Sequence, residues 1–375
     1  MVPPVLKLFL IAGEPSGDRL GAALMAGLKP LTQVEFHGIG GPMMQAQGLT
    51  SLFPMAELSI MGLAEILPKY FPLKRRIAET AKAVTKLSPA ALITIDSPDF
   101  CLRVATLVRQ SNPNQKTIHY VAPSVWAWRP HRAVKMARVI DHVLALLPFE
   151  PPYMTAAGMT CDFVGHPVVA EPRASQAESD LMDGPYPLIL ALPGSRRSEV
   201  TRLAPIFGAT LARIKAVHPQ TRVALPTVPH LATLIRDLTA DWPITPQIIE
   251  DPATKRAAFA MADVALAASG TVSLELAAAG TPMVIAYDMH PLTLWLTRRA
   301  MLIDTVTLVN LVSETRTVPE FIGYDCRPDL IAPAVLALLQ NPHSQDQAMH
   351  LTLQRLGKGG EPPGLRAAKS ILAHL

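Results

Sequence analysis

A run of five apolar residues, Leu188–Leu192, leads directly into Pro193-Gly194-Ser195-Arg196-Arg197, and an amphipathic helical pattern continues to about Val217. A short, wholly apolar run closed by a Pro-Gly turn reads as a strand buried on both faces, the mark of a parallel sheet. The turn feeds a helix N-terminus, which presents free backbone N–H groups and partial positive charge. Arg196 and Arg197 add two guanidiniums there. Such a loop suits a multiply charged anion such as a diphosphate, because open α/β sheets bind ligands at the carboxyl ends of their strands. The plainer reading is a solvated turn, since Arg is mostly exposed anyway.

The same alternation runs through the chain. The first half offers strands at Val5–Ala12, Val34–Ile39, Ala90–Ile95, Lys116–Val121, His142–Leu147 and Cys161–Val164, with helical patterns such as Leu20–Leu28 between them. Residues 170–186 turn to Glu, Pro, Ser, Gln, Asp and Gly and read as a linker. The second half repeats the pattern at Leu188–Leu192, Arg222–Leu225, Gln247–Glu250, Val264–Ala268 and Met283–Tyr287. After Arg327 it is helical with polar breaks. The expected fold is α/β: two Rossmann-like, doubly wound parallel-sheet domains, residues 1–169 and 187–340, with a helical tail at 341–375. That is the GT-B architecture, with ligands expected in a crevice between the sheets.

Composition narrows the partners. The 375 residues fit two domains, and 49 % hydrophobic residues can fill two cores. Charged residues are scarce at 17 %, yet no run of about 18 apolar residues predicts a spanning helix. Lys7 leads straight into a strand, which is not the layout of a signal peptide; a cytoplasmic protein resting on a membrane surface is expected. A net charge of +4 favours acidic partners. Cys101, Cys161 and Cys326 form no metal pattern and no disulfide framework. Aromatics at 5 %, with no basic–aromatic ladder, argue against nucleic acid.

Further loops stand at predicted strand ends. Gly13-Glu14-Pro15-Ser16-Gly17-Asp18 is no Gly-x-Gly-x-x-Gly fingerprint; Ser16 reads as a helix N-cap, with Asp18 in the first turn, whereas a cap does not call for Glu14 or Pro15. In Asp96-Ser97-Pro98-Asp99, Pro98 is expected to hold Ser97 extended. Asp99 there can take a proton from a substrate hydroxyl or simply cap the next helix, with Asp96 as a support. The stretch Ala122–Arg132 holds Trp126 and Trp128 beside basic residues, for stacking on a ring or for packing. Ser269, Gly270 and Thr271 offer phosphate donors, and Glu275, one turn on, can accept the hydroxyls of a ribose; a Ser-capped helix with an exposed Glu is the alternative. Met61, Leu63, Ile66, Leu67, Tyr70 and Phe71, beside Lys69, Lys74, Arg75 and Arg76, suit either an anionic bilayer interface or an ordinary packed helix.

Taken in order, Gly-Glu-Pro-Ser-Gly-Asp, Ser-Ile-Met-Gly, Ile-Asp-Ser-Pro-Asp-Phe, Pro-Ser-Val-Trp-Ala-Trp, Gly-His-Pro, Pro-Gly-Ser-Arg and Ser-Gly-Thr-Val-Ser-Leu-Glu resemble the lipid-A-disaccharide synthase family from about Lys7 to Pro328. The resemblance implies an inverting glycosyltransferase without metal or other cofactor, at the cytoplasmic face of the inner membrane, able to form homodimers with exchanged C-terminal parts. Its substrates would be UDP-2,3-diacylglucosamine and 2,3-diacylglucosamine 1-phosphate (lipid X). Carried over, Asp99 is the general base, Arg196 with Ser195 binds the diphosphate, and Glu275 holds the ribose. Asn310 and Glu320 match residues near the nucleotide site. Arg197 stands at a variable position, and after Asn341 only the helical character is shared. Competing readings are a UDP-sugar 2-epimerase of the same fold, which needs no acceptor, a nicotinamide-dependent oxidoreductase, and a non-catalytic membrane scaffold.

Overall fold

All the apolar runs predicted as strands form, and every pairing between them is parallel. The computed structural model describes residues 5–58 and 63–375, without the side chains of 63–70, 291, 292 and 298. It divides into two units: residues up to Ala170 together with Gly359–Leu375, and Glu171–Lys358. The first unit's sheet contains β1 (Leu6–Ala12), β2 (Val34–Ile39), β3 (Thr50–Ser51), β4 (Ala91–Ile95), β5 (Thr117–Tyr120), β6 (His142–Ala145) and β7 (Thr160–Phe163), in the order β3-β2-β1-β4-β5-β6-β7. The second contains β8 (Leu188–Leu192), β9 (Arg222–Pro226), β10 (Gln247–Ile249), β11 (Val264–Ala267), β12 (Met283–Tyr287) and β13 (Glu320–Ile322), in the order β10-β9-β8-β11-β12-β13. Each is a doubly wound sheet whose winding reverses once, at β1/β4 and at β8/β11.

The unbroken apolar runs follow from burial on both faces. Along β1, Phe9 and Ile11 join a core with Leu92, Val104 and Val108, while Leu8, Leu10 and Ala12 join one with Ile93, Leu24 and Leu28. β8 does the same work in the second unit, where Ile189 and Ala191 pack with Val200, Leu203 and Phe207 of the helix Arg197–Val217.

Three expectations change. The 341–375 tail is shared between the units: the helix Asp346–Arg355 stays in the second, and Pro363–Ala373 packs on Pro15–Leu28 in the first. Glycine permits that contact, since a Cβ on Gly27 would lie 2.5 Å from the Gly364 carbonyl oxygen. Ser370 then bonds His142 Nε2 at 2.9 Å and Asp162 at 2.7 Å, and the His374 ring stacks on His142. Residues 171–186, read as a linker, belong to the second unit, where the Ser175 capping box starts a short helix and Glu178 pairs with Arg256. Finally, β3 and β13, of two and three residues, form beyond the predicted strands.

Candidate active site

The predicted loops lie where each sheet reverses its winding. In the first unit, the loops after β1 and β4 leave adjacent strands and touch: a Cβ on Gly13 would meet Ser97 Oγ at 2.6 Å. The helix after β1 begins at Pro15 rather than Leu20, with Pro at its first position and Glu14 as N-cap residue. Ser16 is therefore inside the first turn and not the cap; Glu14 and Ser16 are both exposed. Asp18 is buried. Its carboxylate accepts the backbone N–H groups of Gly41 (2.9 Å), Met43 (3.0 Å) and Met44 (2.9 Å). It fixes the loop after β2, a structural role beyond the first-turn acid that the sequence suggests.

Ser97 is not extended. Asp96 and Ser97 both adopt left-handed backbone, φ +53° and +45°, despite Pro98. The β4/β5 ladder continues to Asp96, whose N–H donates to Tyr120 O, and the next helix opens on the Ser97 carbonyl, which accepts from Phe100 and Cys101. Strand and helix are thus joined by two residues, and left-handed geometry is the cost, of order 1–3 kcal/mol per residue. The Asp96 carboxylate accepts the Ser97 N–H at 2.9 Å and braces the turn. Asp99 emerges in the first turn of Pro98–Ser111, exposed, and caps nothing, because Ser97 holds the N-cap position.

Beside it, after β5, Val121 is also left-handed at φ +85°, an outlier for a β-branched residue. The two tryptophans divide their roles. Trp126 is buried and donates Nε1–H to Glu150 (3.3 Å), whereas Trp128 is partly exposed beneath the Arg129 guanidinium. Glu150, which sequence reasoning missed, also accepts from Leu146 (3.1 Å) and Leu147 (2.9 Å). Burial raises its pKa to about 7. Its only sequence signal was an acid after the apolar run of β6. His166 of Gly-His-Pro is held neutral by burial and by Arg19, its pKa lowered to about 4, and its Nδ1 accepts the Val168 N–H.

In the second unit, the loop after β8 carries Ser195 and Arg196, both exposed, and Arg197 opens the helix. Glu199 folds back and accepts the backbone N–H groups of Ser195 (3.2 Å) and Arg196 (3.3 Å) and Arg196 Nη1 (2.8 Å). A carboxylate of the same chain thus occupies the two backbone N–H groups, while most of the Arg196 side chain remains in solvent. The loop after β11, the adjacent strand, holds Ser269, Gly270 at φ +157° and exposed Thr271. Glu275 follows one turn on, paired with Lys255 at 2.8 Å. Asn310 is buried, and one carboxylate oxygen of half-buried Glu320 is fully engaged. Glu320 accepts from Thr305 Oγ1 (2.6 Å), Val306 N (3.0 Å) and Thr307 N (2.6 Å). Asn310 exchanges bonds with Val318 and donates to Thr305. They hold the strand-connecting segment whose Val306 carbonyl accepts from Ser269 at 3.4 Å.

Of the membrane segment, Met61 lies outside the described residues, and so do the side chains of Leu63, Ile66, Leu67, Lys69 and Tyr70. Phe71 is 78 % exposed, with Lys74 and Arg75 exposed beside it. Arg76 is not free for headgroups: it pairs with Glu57 and Glu79, both at 2.8 Å, and covers the Phe53 ring. Among the described residues no helix is long and apolar enough to cross a membrane.

The fold is shared widely among nucleotide-sugar proteins. A UDP-GlcNAc 2-epimerase from Neisseria meningitidis, solved with UDP-GlcNAc, superposes with a TM-score of 0.66 at 12 % identity, covering 99 % of this chain and 98 % of its own. MurG from Acinetobacter baumannii superposes at 0.58 with 13 % identity, covering 99 % and 100 %. At such identity these establish the two-sheet GT-B fold. Sequence goes further. The family model described as lipid-A-disaccharide synthetase matches residues 8–372. Lipid-A-disaccharide synthases from Ruegeria pomeroyi and Rhodospirillum centenum are 61 % and 48 % identical, over 99 % and 98 % of this chain and 96 % and 94 % of theirs. With its motif loops at the winding reversals of two parallel sheets, the chain belongs to the lipid-A-disaccharide synthase family.

Proposed function

We propose that the chain joins UDP-2,3-diacylglucosamine to lipid X, giving the β(1→6)-linked lipid A disaccharide 1-phosphate and UDP. The acceptor's 6-hydroxyl oxygen attacks the donor's anomeric carbon, the bond to the UDP oxygen breaks, and configuration inverts. Asp99 takes the hydroxyl proton. Left-handed Asp96 and Ser97, braced by the Asp96 carboxylate, set the turn that presents it. Arg196, with Ser195, Arg197 and the loop Ser269-Gly270-Thr271, receives the charge developing on the departing diphosphate. Glu275 exchanges Lys255 for the ribose hydroxyls. Asn310 is a positioning residue, and Glu320 holds the segment that carries Val306 through one carboxylate oxygen.

The observation that carries this reading is family membership over nearly the whole chain, with the matching loops at ligand-binding strand ends. In this reading the acylated substrates keep the reaction at a membrane, the cytoplasmic face of the inner membrane, with the segment that holds Phe71 serving the acyl chains and Lys74 and Arg75 the anionic headgroups. The test is incubation of purified protein with the acylated UDP-sugar and lipid X, followed by mass spectrometry. Disaccharide 1-phosphate and equimolar UDP are expected. UDP-sugar consumption without acceptor, or an epimerised sugar, would overturn the proposal.

A further inference from the structure

In the second unit the helix Pro291–Ala300 leaves the carboxyl edge of β12, the strand beside β11. Leu294 turns inward, so close to Gly323 that a Cβ there would meet it at 2.3 Å. Trp295, Leu296 and, just past the helix, Leu302 turn outward at 53, 54 and 61 % exposure. At about 100° per residue, positions 295, 296 and 299 share one arc of the helix. Arg299 belongs to that arc, its guanidinium 4.9 Å from the centre of the Trp295 ring. The helix contains no Asp or Glu. The flanking acids are engaged elsewhere, Asp288 with Arg202 and Asp304 with Arg316. The exposed face is therefore apolar, with a positive charge that no carboxylate pairs among the described residues.

We infer that this face lies on an anionic phospholipid surface and gives the second unit a bilayer contact of its own. Ten residues span about 15 Å, too short to cross a bilayer but suited to lying in its interface. A Trp ring flanked by leucines and stacked by an Arg fits that layer, with indole and guanidinium at headgroup level and leucines below. The helix starts on the sheet edge that carries the loops after β8 and β11, so the contact holds the proposed diphosphate site near the surface from which an acylated donor is drawn. The inference rests on the proposed reaction of acylated lipids.

The test uses the full chain and vesicles of phosphatidylglycerol or phosphatidylcholine with brominated acyl chains. Trp126 and Trp242 are buried, and Trp128→Phe removes the other exposed indole. In that background, anionic vesicles should quench the fluorescence, and adding Trp295→Phe should abolish the quenching. Leu296→Ser with Leu302→Ser should weaken anionic vesicle binding about tenfold, with melting and UDP binding unchanged. Unchanged affinity and no quenching, while Leu63→Ser with Leu67→Ser releases the vesicles, would overturn this inference and leave the first unit's membrane contact standing. Failure of the wild type to bind vesicles would overturn both. Equal quenching by phosphatidylcholine would overturn the anionic recognition. Self-association without vesicles, lost in the Leu296/Leu302 variant, would make the occupant a second copy and overturn the lipid assignment.

Discussion

Glu150→Gln probes the support beneath the Trp126 loop. Burial raises the Glu150 pKa from an ordinary 4.5 to about 7, so between those values the folded chain keeps a proton that the unfolded chain has released. Stability from this group is therefore full below about pH 4.5, falls as pH rises and levels off above about 7. Over that interval, at 1.36 kcal/mol per pH unit, the loss is on the order of 3 kcal/mol. Glutamine cannot ionise, so the loss disappears. In exchange, glutamine's oxygen can keep the Leu146 and Leu147 N–H groups, but its amide then meets Trp126 Nε1–H donor to donor, a pH-independent loss of about 1 kcal/mol. His119, His142 and His166, each lowered to about 4 by burial, act with opposite sign, adding stability as pH rises toward 6.5. They are common to both proteins and cancel in the difference. Urea unfolding at pH 4.5, 6 and 8, followed by hydrogen exchange in peptides covering residues 117–163, reports this unit alone. The variant should gain on wild type by about 3 kcal/mol from pH 4.5 to 8. A difference flat within about 0.5 kcal/mol would refute the reasoning, because Glu150 would then ionise as if solvated.

Asp99→Asn should lower kcat by roughly 10²–10⁴-fold with UDP affinity intact, measured by steady-state turnover and calorimetry; activity within a few-fold of wild type would rule Asp99 out as the base. Arg196→Ala should weaken UDP and pyrophosphate alike, whereas Glu275→Ala should weaken UDP only; equal losses for both ligands at Glu275 would contradict ribose binding. Asp18→Ala leaves three backbone N–H groups without their carboxylate and should destabilise the first unit by about 2–4 kcal/mol in chemical unfolding, without a specific effect on UDP binding. Turnover should survive EDTA, since guanidiniums and helix N-termini can take the leaving-group charge; loss on chelation with rescue by Mg²⁺ would refute that.

The sheets were legible because β1, β4, β8 and β11 are buried on both faces and are almost wholly apolar, so their runs stand out locally. The loops after them were legible for a related reason: Gly, Pro, Ser and Arg at a strand's end have few structural uses. What those residues do in the folded chain was less visible. Asp18 read locally as a first-turn acid and Asn310, by resemblance, as a residue near the nucleotide site; both brace loops, through N–H groups that come from segments separated in sequence. Glu150 and its altered pKa required the Trp126 loop to cover it.

Sequence alone therefore determined the two parallel sheets, the identity of the loops at their carboxyl ends and the family, all properties written in short windows by burial and turn chemistry. Tertiary structure decided which acids remain available to a ligand, the left-handed turn before Asp99, and the return of the last helix to the first unit. Each of these depends on contacts between distant residues, such as Gly27 with Gly364 or Asp96 with the β5 carbonyl of Tyr120, and no local pattern encodes such contacts.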